Sequence, residues 1–160
     1  MATKINTQKF LIGALFATAI ASPLLLKTQS ALAGCRVPAE VSEVTELTNR
    51  VRTKYNLRPL RPSCQLYQAA QNHTLNMVEM RRMSHTGSDG SEVEHRVQRV
   101  GYRHSGVAEN VAVGQNSSSQ VVRDWMNSPG HRRNILNPRY TEIGVGYSNN
   151  YWTQVFGHRR

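Results

Sequence analysis

Two kinds of side chain in this 160-residue chain could do chemistry near neutral pH: six histidines and a sparse set of carboxylates. His131 is the best placed. It lies in Trp125-Met126-Asn127-Ser128-Pro129-Gly130-His131-Arg132, followed by Ile135 and Leu136, so apolar anchors flank it on both sides. Ser128 with Pro129 predicts a helix start, with serine as N-cap and proline where a missing N–H costs nothing. That holds the His131 imidazole rigidly, as a site requires and as a packed core histidine also shows. Glu109 is a single acid among small apolar residues in the run Gly106–Gly114 and needs a partner if it is buried. His73 falls within an apolar stripe and is expected to be a packed histidine bonded to a backbone carbonyl. Neither His95 nor His104 acquires a role. Ser84, Ser105 and Ser128 stand outside any Gly-x-Ser-x-Gly elbow, so no serine nucleophile is indicated.

The elements that must position these residues follow from periodicity. Pro38 opens a helix with Val41, Val44, Leu47, Val51 and Tyr55 on one face, and Asn56 can stop it. Residues 57–62, with two prolines, form a connector. Ser63 caps a second helix carrying Leu66, Ala69, Ala70, His73, Met77 and Met80. Residues 83–90 form a loop with an Asp89-Gly90 turn. Ser91 and Glu94 predict a capping box for a short third helix ending at Gly101. Residues 106–114 read as a short strand or extended loop, and Ser119 as the cap of a helix through Trp125. Ile143, Val145 and Tyr147 alternate with small residues before Ser148-Asn149-Asn150, and Tyr151–Phe156 follows as the second arm of a hairpin. Helices first and strands last predict an α+β fold. There is no internal repeat.

Residues 1–33 are expected to be a secretory signal peptide. Lys4 and Lys9 precede an apolar run from Phe10 to Leu26, and Ala31-Leu32-Ala33 is a small-residue cleavage site. An uncleaved anchor is the alternative, although a 17-residue run broken by Ser22-Pro23 is short for a span. Export predicts that Cys35 and Cys64, the two cysteines of the chain, form a disulfide. A lipidated Cys35 in Leu32-Ala33-Gly34-Cys35 is the competing reading and would leave Cys64 unpaired. Residues 34–40 are assigned to a short tail and 41–160 to one domain, with no transmembrane segment in the mature chain. The chain has 20 basic and 10 acidic residues. Removing Lys4, Lys9 and Lys27 leaves 17 against 10, a mature charge of +7 carried almost wholly by arginine. Such a protein favours anionic lipid, acidic wall polymer or another anionic partner. Nucleic acid is disfavoured, because the basic residues look scattered in pairs with few aromatics between them.

Five motifs in order complete the picture: His85-Thr86-Gly87, Ala108-Glu109-Asn110-Val111-Ala112, the Trp125–Arg132 segment, Ile143-Gly144-Val145-Gly146 and Tyr151–Gly157. Together they resemble the CAP superfamily of cysteine-rich secretory proteins, insect venom antigens and plant pathogenesis-related proteins, in its bacterial SCP-like branch. The resemblance runs from about Val41 to Gly157. It implies a three-layer α-β-α sandwich with a small antiparallel sheet. It also implies a cavity lined by His85, Glu109 and His131. The second glutamate of the animal and plant members falls on Ser128 here, so the usual two-carboxylate set is incomplete.

On that resemblance, His85 and His131 could bind zinc, with Glu109 as a third ligand and a position left for water. Without metal, Glu109 could bridge the two histidines as a structural network. The expectation is an exported binding or interaction module for a lipid, wall polymer or protein, with no cofactor required. The alternative is a metal-dependent, peptidase-like hydrolase using His85, His131 and Glu109.

Overall fold

The computed structural model describes residues 35–160. The leader expected over 1–33, and Gly34, lie outside the described residues. Cys35 is bridged to Cys64, with Cα atoms 5.7 Å apart. This takes up the sulfur that lipidation would need and ties the start of the described chain to the second helix. No described helix is long and apolar enough to cross a membrane.

Nine elements follow in order. They are α1 (Ala39–Lys54), β1 (Arg61–Pro62), α2 (Cys64–Met80), α3 (Val93–Arg99), β2 (His104–Val113), α4 (Ser118–Asn127), α5 (Pro129–Ile135), β3 (Glu142–Ser148) and β4 (Tyr151–Arg159). The four strands form one sheet in the order β1-β3-β4-β2, antiparallel except where β1 pairs parallel with β3. The fold is α+β, as expected. Helix α1 begins inside the segment assigned to a tail, at Ala39, directly after Pro38.

Strand alternation sends side chains to two helical layers. Ile143 and Val145 on β3 and Trp152 and Phe156 on β4 pack with α1, α4 and α5 through Val41, Val44, Val121, Trp125 and Ile135. Val155 faces the other way, into a smaller core with Leu66, Ala69 and Ala70 of α2, Val97 of α3, and Tyr102. The second layer approaches closely because the middle of β3 presents only Gly144 and Gly146 to it. A Cβ on Gly144 would fall 2.1 Å from the Leu66 carbonyl carbon, and one on Gly146 would fall 2.6 Å from that of Ala70. Beyond β1, the open edge of β3 is closed by a side chain: the Gln71 amide donates to the Tyr147 carbonyl at 3.1 Å and accepts from its N–H at 3.0 Å.

Several local expectations shift. The connector contains β1, because Arg61 and Ser63 donate backbone N–H bonds to Thr141 and Ile143 across the sheet. The third helix is capped one residue later than expected, by Glu92, whose N–H reaches His95 Nδ1 at 3.2 Å. The cap of α4 is Ser117, two residues before Ser119, and it accepts from the Gln120 N–H. Residues 106–113 are not a short strand or loop but part of a ten-residue strand, His104–Val113, which Gly114 ends. Ser63 caps α2 as expected, accepting from the Leu66 N–H. The hairpin turn is Asn149-Asn150 with φ of 48° and 61°, the pair of positive angles that a two-residue turn of type I′ requires.

Candidate functional site

Strand β2 is the edge of the sheet on which the site is built, and its alternation separates two neighbours. Glu109 lies opposite Val155 and Asn110 opposite Gln154, so the two side chains enter opposite layers.

On the α2 and α3 side, Glu109 is 7% exposed and surrounded by donors. Arg96 donates to Oε2 at 2.7 Å, and His85 Nδ1 lies 2.9 Å from Oε1. His73 Nε2 lies 3.8 Å from Oε1 but gives its hydrogen bond to the Ser84 carbonyl at 2.8 Å. His73 is thus the packed, carbonyl-bonded histidine that its place in the stripe predicts. Arg96 is also buried, and its second amino group is taken by the Ser91 carbonyl. The carboxylate and guanidinium are therefore mutually neutralised inside the fold, as buried charges must be. His85 is different: its side chain is 53% exposed, with Nδ1 turned in to the carboxylate.

On the α5 side the network is neutral. The Asn110 amide donates to Gln154 Oε1 at 3.0 Å and to the His131 carbonyl at 3.3 Å. Asn134 donates back to Asn110 Oδ1 at 2.9 Å and to the Glu109 carbonyl at 3.2 Å. Gln154 continues the chain to Thr48 on α1 at 2.8 Å. These bonds hold α5 against β2. Pro129 opens that helix after Ser128, which puts His131 in its first turn as expected. The Ser128 hydroxyl makes no capping bond, although Ser128 occupies the N-cap position.

The electrostatics distinguish the three histidines. The hydrogen bond to Glu109 raises the His85 pKa above its ordinary value despite partial burial. Desolvation lowers that of His131, and the nearby His85 charge lowers it further. Desolvation also lowers His73, against the pull of Glu109. Glu109 thus stands behind His85, holding its Nδ1 from inside the fold. Among the described residues, no group of three or more His, Cys, Asp or Glu side chains is arranged to hold a metal ion.

Sequence reasoning gave Arg96, Asn110, Asn134 and Gln154 no role. The signal for Arg96 was present in outline: a buried Glu109 demanded a cation, and Arg96 adjoins Val97 on the apolar stripe of α3.

The CAP family model, described as the cysteine-rich secretory protein family, matches residues 45–156. The chain belongs to the CAP family. Among curated relatives, this CAP domain is 38% identical over 122 residues to YkwD of Bacillus subtilis, covering 75% of this chain and 48% of that protein. It is 31% identical over 114 residues to the Bacillus subtilis membrane protein YlbC, covering 71% of this chain and 33% of that protein. The chain therefore spans half or less of the curated relatives it matches. Among solved structures, it is similar to an extracellular SCP-domain protein of Bacillus anthracis. The TM-score is 0.74 at 27% identity, covering 79% of this chain and 45% of that one. An outer surface protein of Borrelia burgdorferi shares the fold with a TM-score of 0.69 at 24% identity, covering 74% of this chain and 92% of that one. These neighbours bear out the bacterial SCP-like resemblance drawn from the motifs.

Proposed function

We propose that this CAP domain is an exported binding module that takes an envelope lipid, wall polymer or protein at the face presented by His85 and His131. The observation that carries the reading is the state of Glu109: both its oxygens are engaged, by His85 and by Arg96, and it is nearly buried. A general base must be free to accept a proton from a reacting group. Glu109 instead fixes the His85 ring, and the residue at the second carboxylate position is Ser128. The disulfide and the extracellular neighbour from Bacillus anthracis support export.

The donor set also suits a metal in a limited way. With Nδ1 held by a carboxylate, His85 offers Nε2, and His131 offers a second neutral imidazole, while Glu109 stays behind His85 as the orienting partner. Zinc held there would polarise an oxygen of a bound ligand. With two imidazoles, affinity should be modest, and calorimetry should detect no zinc binding by the His85→Ala/His131→Ala variant.

The test of the module reading incubates the purified protein with envelope lipids and wall fragments and identifies retained molecules by mass spectrometry. His85→Ala and His131→Ala should each reduce retention, and neither wild type nor Glu109→Gln should turn over peptides, esters or wall glycans. Turnover by the wild type that is lost in a folded His85→Ala variant would make the site catalytic and overturn the reading.

A further inference from the structure

The basic residues, scattered in sequence, collect at one end of the sandwich: the end where β1, β2 and β3 begin and β4 finishes. Arg52 ties this end together. It is 1% exposed, and its guanidinium donates to the carbonyls of Arg58, Ile135, Asn137 and Tyr140. Those four bonds bring the end of α1, the connector to β1 and the α5–β3 loop into one surface. All four partners are neutral, so the buried Arg52 charge is uncompensated, and burial lowers its pKa.

Each layer adds to this surface. Lys54 and Arg58 come from the end of α1 and its connector. Arg132 and Arg133 come from the last turn of α5, and Arg139 from the loop after it; Arg132 lies over the Tyr55 ring at 5.0 Å from its centre and bonds its hydroxyl at 2.7 Å. The sheet supplies Arg61, Arg103, Arg159 and Arg160. Arg61 and Arg159 share a single buried acid, Glu142, at 3.2 and 3.4 Å.

The segments 52–61, 102–104, 132–142 and 158–160 thus hold ten of the 17 basic residues of the chain from Cys35 onward and one of its ten acids, a charge of +9. The other seven basic residues face nine acids, a charge of −2. The count at the end stays strongly positive even with Glu94 included, whose charge is felt at Tyr140. The net charge of the mature chain is therefore a local feature. Compensation of helix C-termini explains two or three of these cations, not ten.

We propose that this end of the sandwich docks on an anionic phospholipid bilayer. The cations come from all three layers, so they spread over a face roughly 20 by 30 Å, judged from strand and layer spacings, and do not line a channel. A plane of charge suits a plane of headgroups better than a threaded polymer. Leaving out the buried Arg52, eight of the other nine are arginine, whose fork matches phosphate oxygens. Tyr55 stands among them 49% exposed, an amphipathic ring suited to headgroup depth. The surface uses neither His85 nor Glu109, so it stands apart from the reading of the His/Glu site.

The test is vesicle co-sedimentation of the purified protein. It compares neutral phosphatidylcholine with phosphatidylcholine containing phosphatidylglycerol, at low and high salt. Binding should require the anionic lipid and fall steeply with salt. Arg58→Gln/Arg133→Gln/Arg139→Gln removes three exposed charges from the face and should weaken binding roughly a hundredfold. Arg81→Gln/Arg82→Gln/Arg123→Gln removes three exposed charges elsewhere and should stay within a few-fold of wild type. Thermal unfolding of both variants confirms the fold. Equal losses in the two variants would reduce the effect to net charge and overturn the docking face. So would equal binding to neutral vesicles, or retention on soluble polyphosphate or nucleic acid without binding to vesicles.

Discussion

Glu109 and Asn110 are neighbours on one strand, yet they anchor two networks of different physical kind. Toward α2 and α3, Glu109 is charged, neutralised by Arg96 and connected to solvent through His85. Toward α1 and α5, Asn110 joins Gln154, Asn134 and Thr48 through neutral amide and hydroxyl bonds. The charged network orients a side chain, the His85 ring. The neutral one positions a backbone, the first turn of α5, and so places His131 indirectly. His85 and His131 are thus held from the two opposite faces of one edge strand. Only one of the two supports should respond to pH.

The largest effect should come from the charged side. Glu109→Ala strands the buried Arg96 guanidinium, and loss of one partner of a buried ion pair costs about 3–5 kcal/mol. Denaturant unfolding measures it directly. A cost below about 1 kcal/mol would mean that water already reaches Arg96 and that the two networks differ less than their geometry implies.

Breaking the neutral side should cost less. Asn110→Ala leaves the Gln154 oxygen and the His131 carbonyl without a donor, at about 2 kcal/mol, and the cost should be the same at pH 5 and pH 8. Proton NMR should show the His131 ring resonances moving while those of His85 stay in place. Movement of both would join the networks into one unit.

The smallest effect sharpens the contrast through titration. The His85 pKa is raised in the fold, so its contact with Glu109 stabilises fully below about pH 6.5, the unfolded value. That stabilisation is lost as pH rises through the folded pKa. The stability gap between wild type and His85→Gln should therefore be widest near pH 5 and close toward pH 8. His73 and His131, lowered by burial, carry the opposite sign: they disfavour the folded state as pH falls through about 6.5. NMR titration should place His85 above the ordinary histidine value and the other two below it. A pH-independent gap for His85→Gln would show that its bond to Glu109 does not depend on charge.

The sequence by itself determined the elements and their local chemistry. Apolar periodicity located α1 and α2, Ser63 located the cap of α2, and the paired asparagines located the hairpin turn, because each depends on residues a few positions apart. It also marked His85, Glu109 and His131 through motifs, and it required a partner for Glu109. What only the tertiary structure decided is which distant groups meet. Arg52 looks like a surface residue on its helix, and nothing nearby in sequence shows that carbonyls 83 to 88 residues away will enclose it. The two-residue β1 has no pattern of its own and exists through its pairing with β3. The opposed directions of Glu109 and Asn110 carry meaning only once the sheet has helices on both faces. Ten basic residues, spread along the chain, share one end of the sandwich because four strand ends and two helix ends meet there. Local rules set conformation over a few residues; burial and charge compensation are properties of the assembled layers.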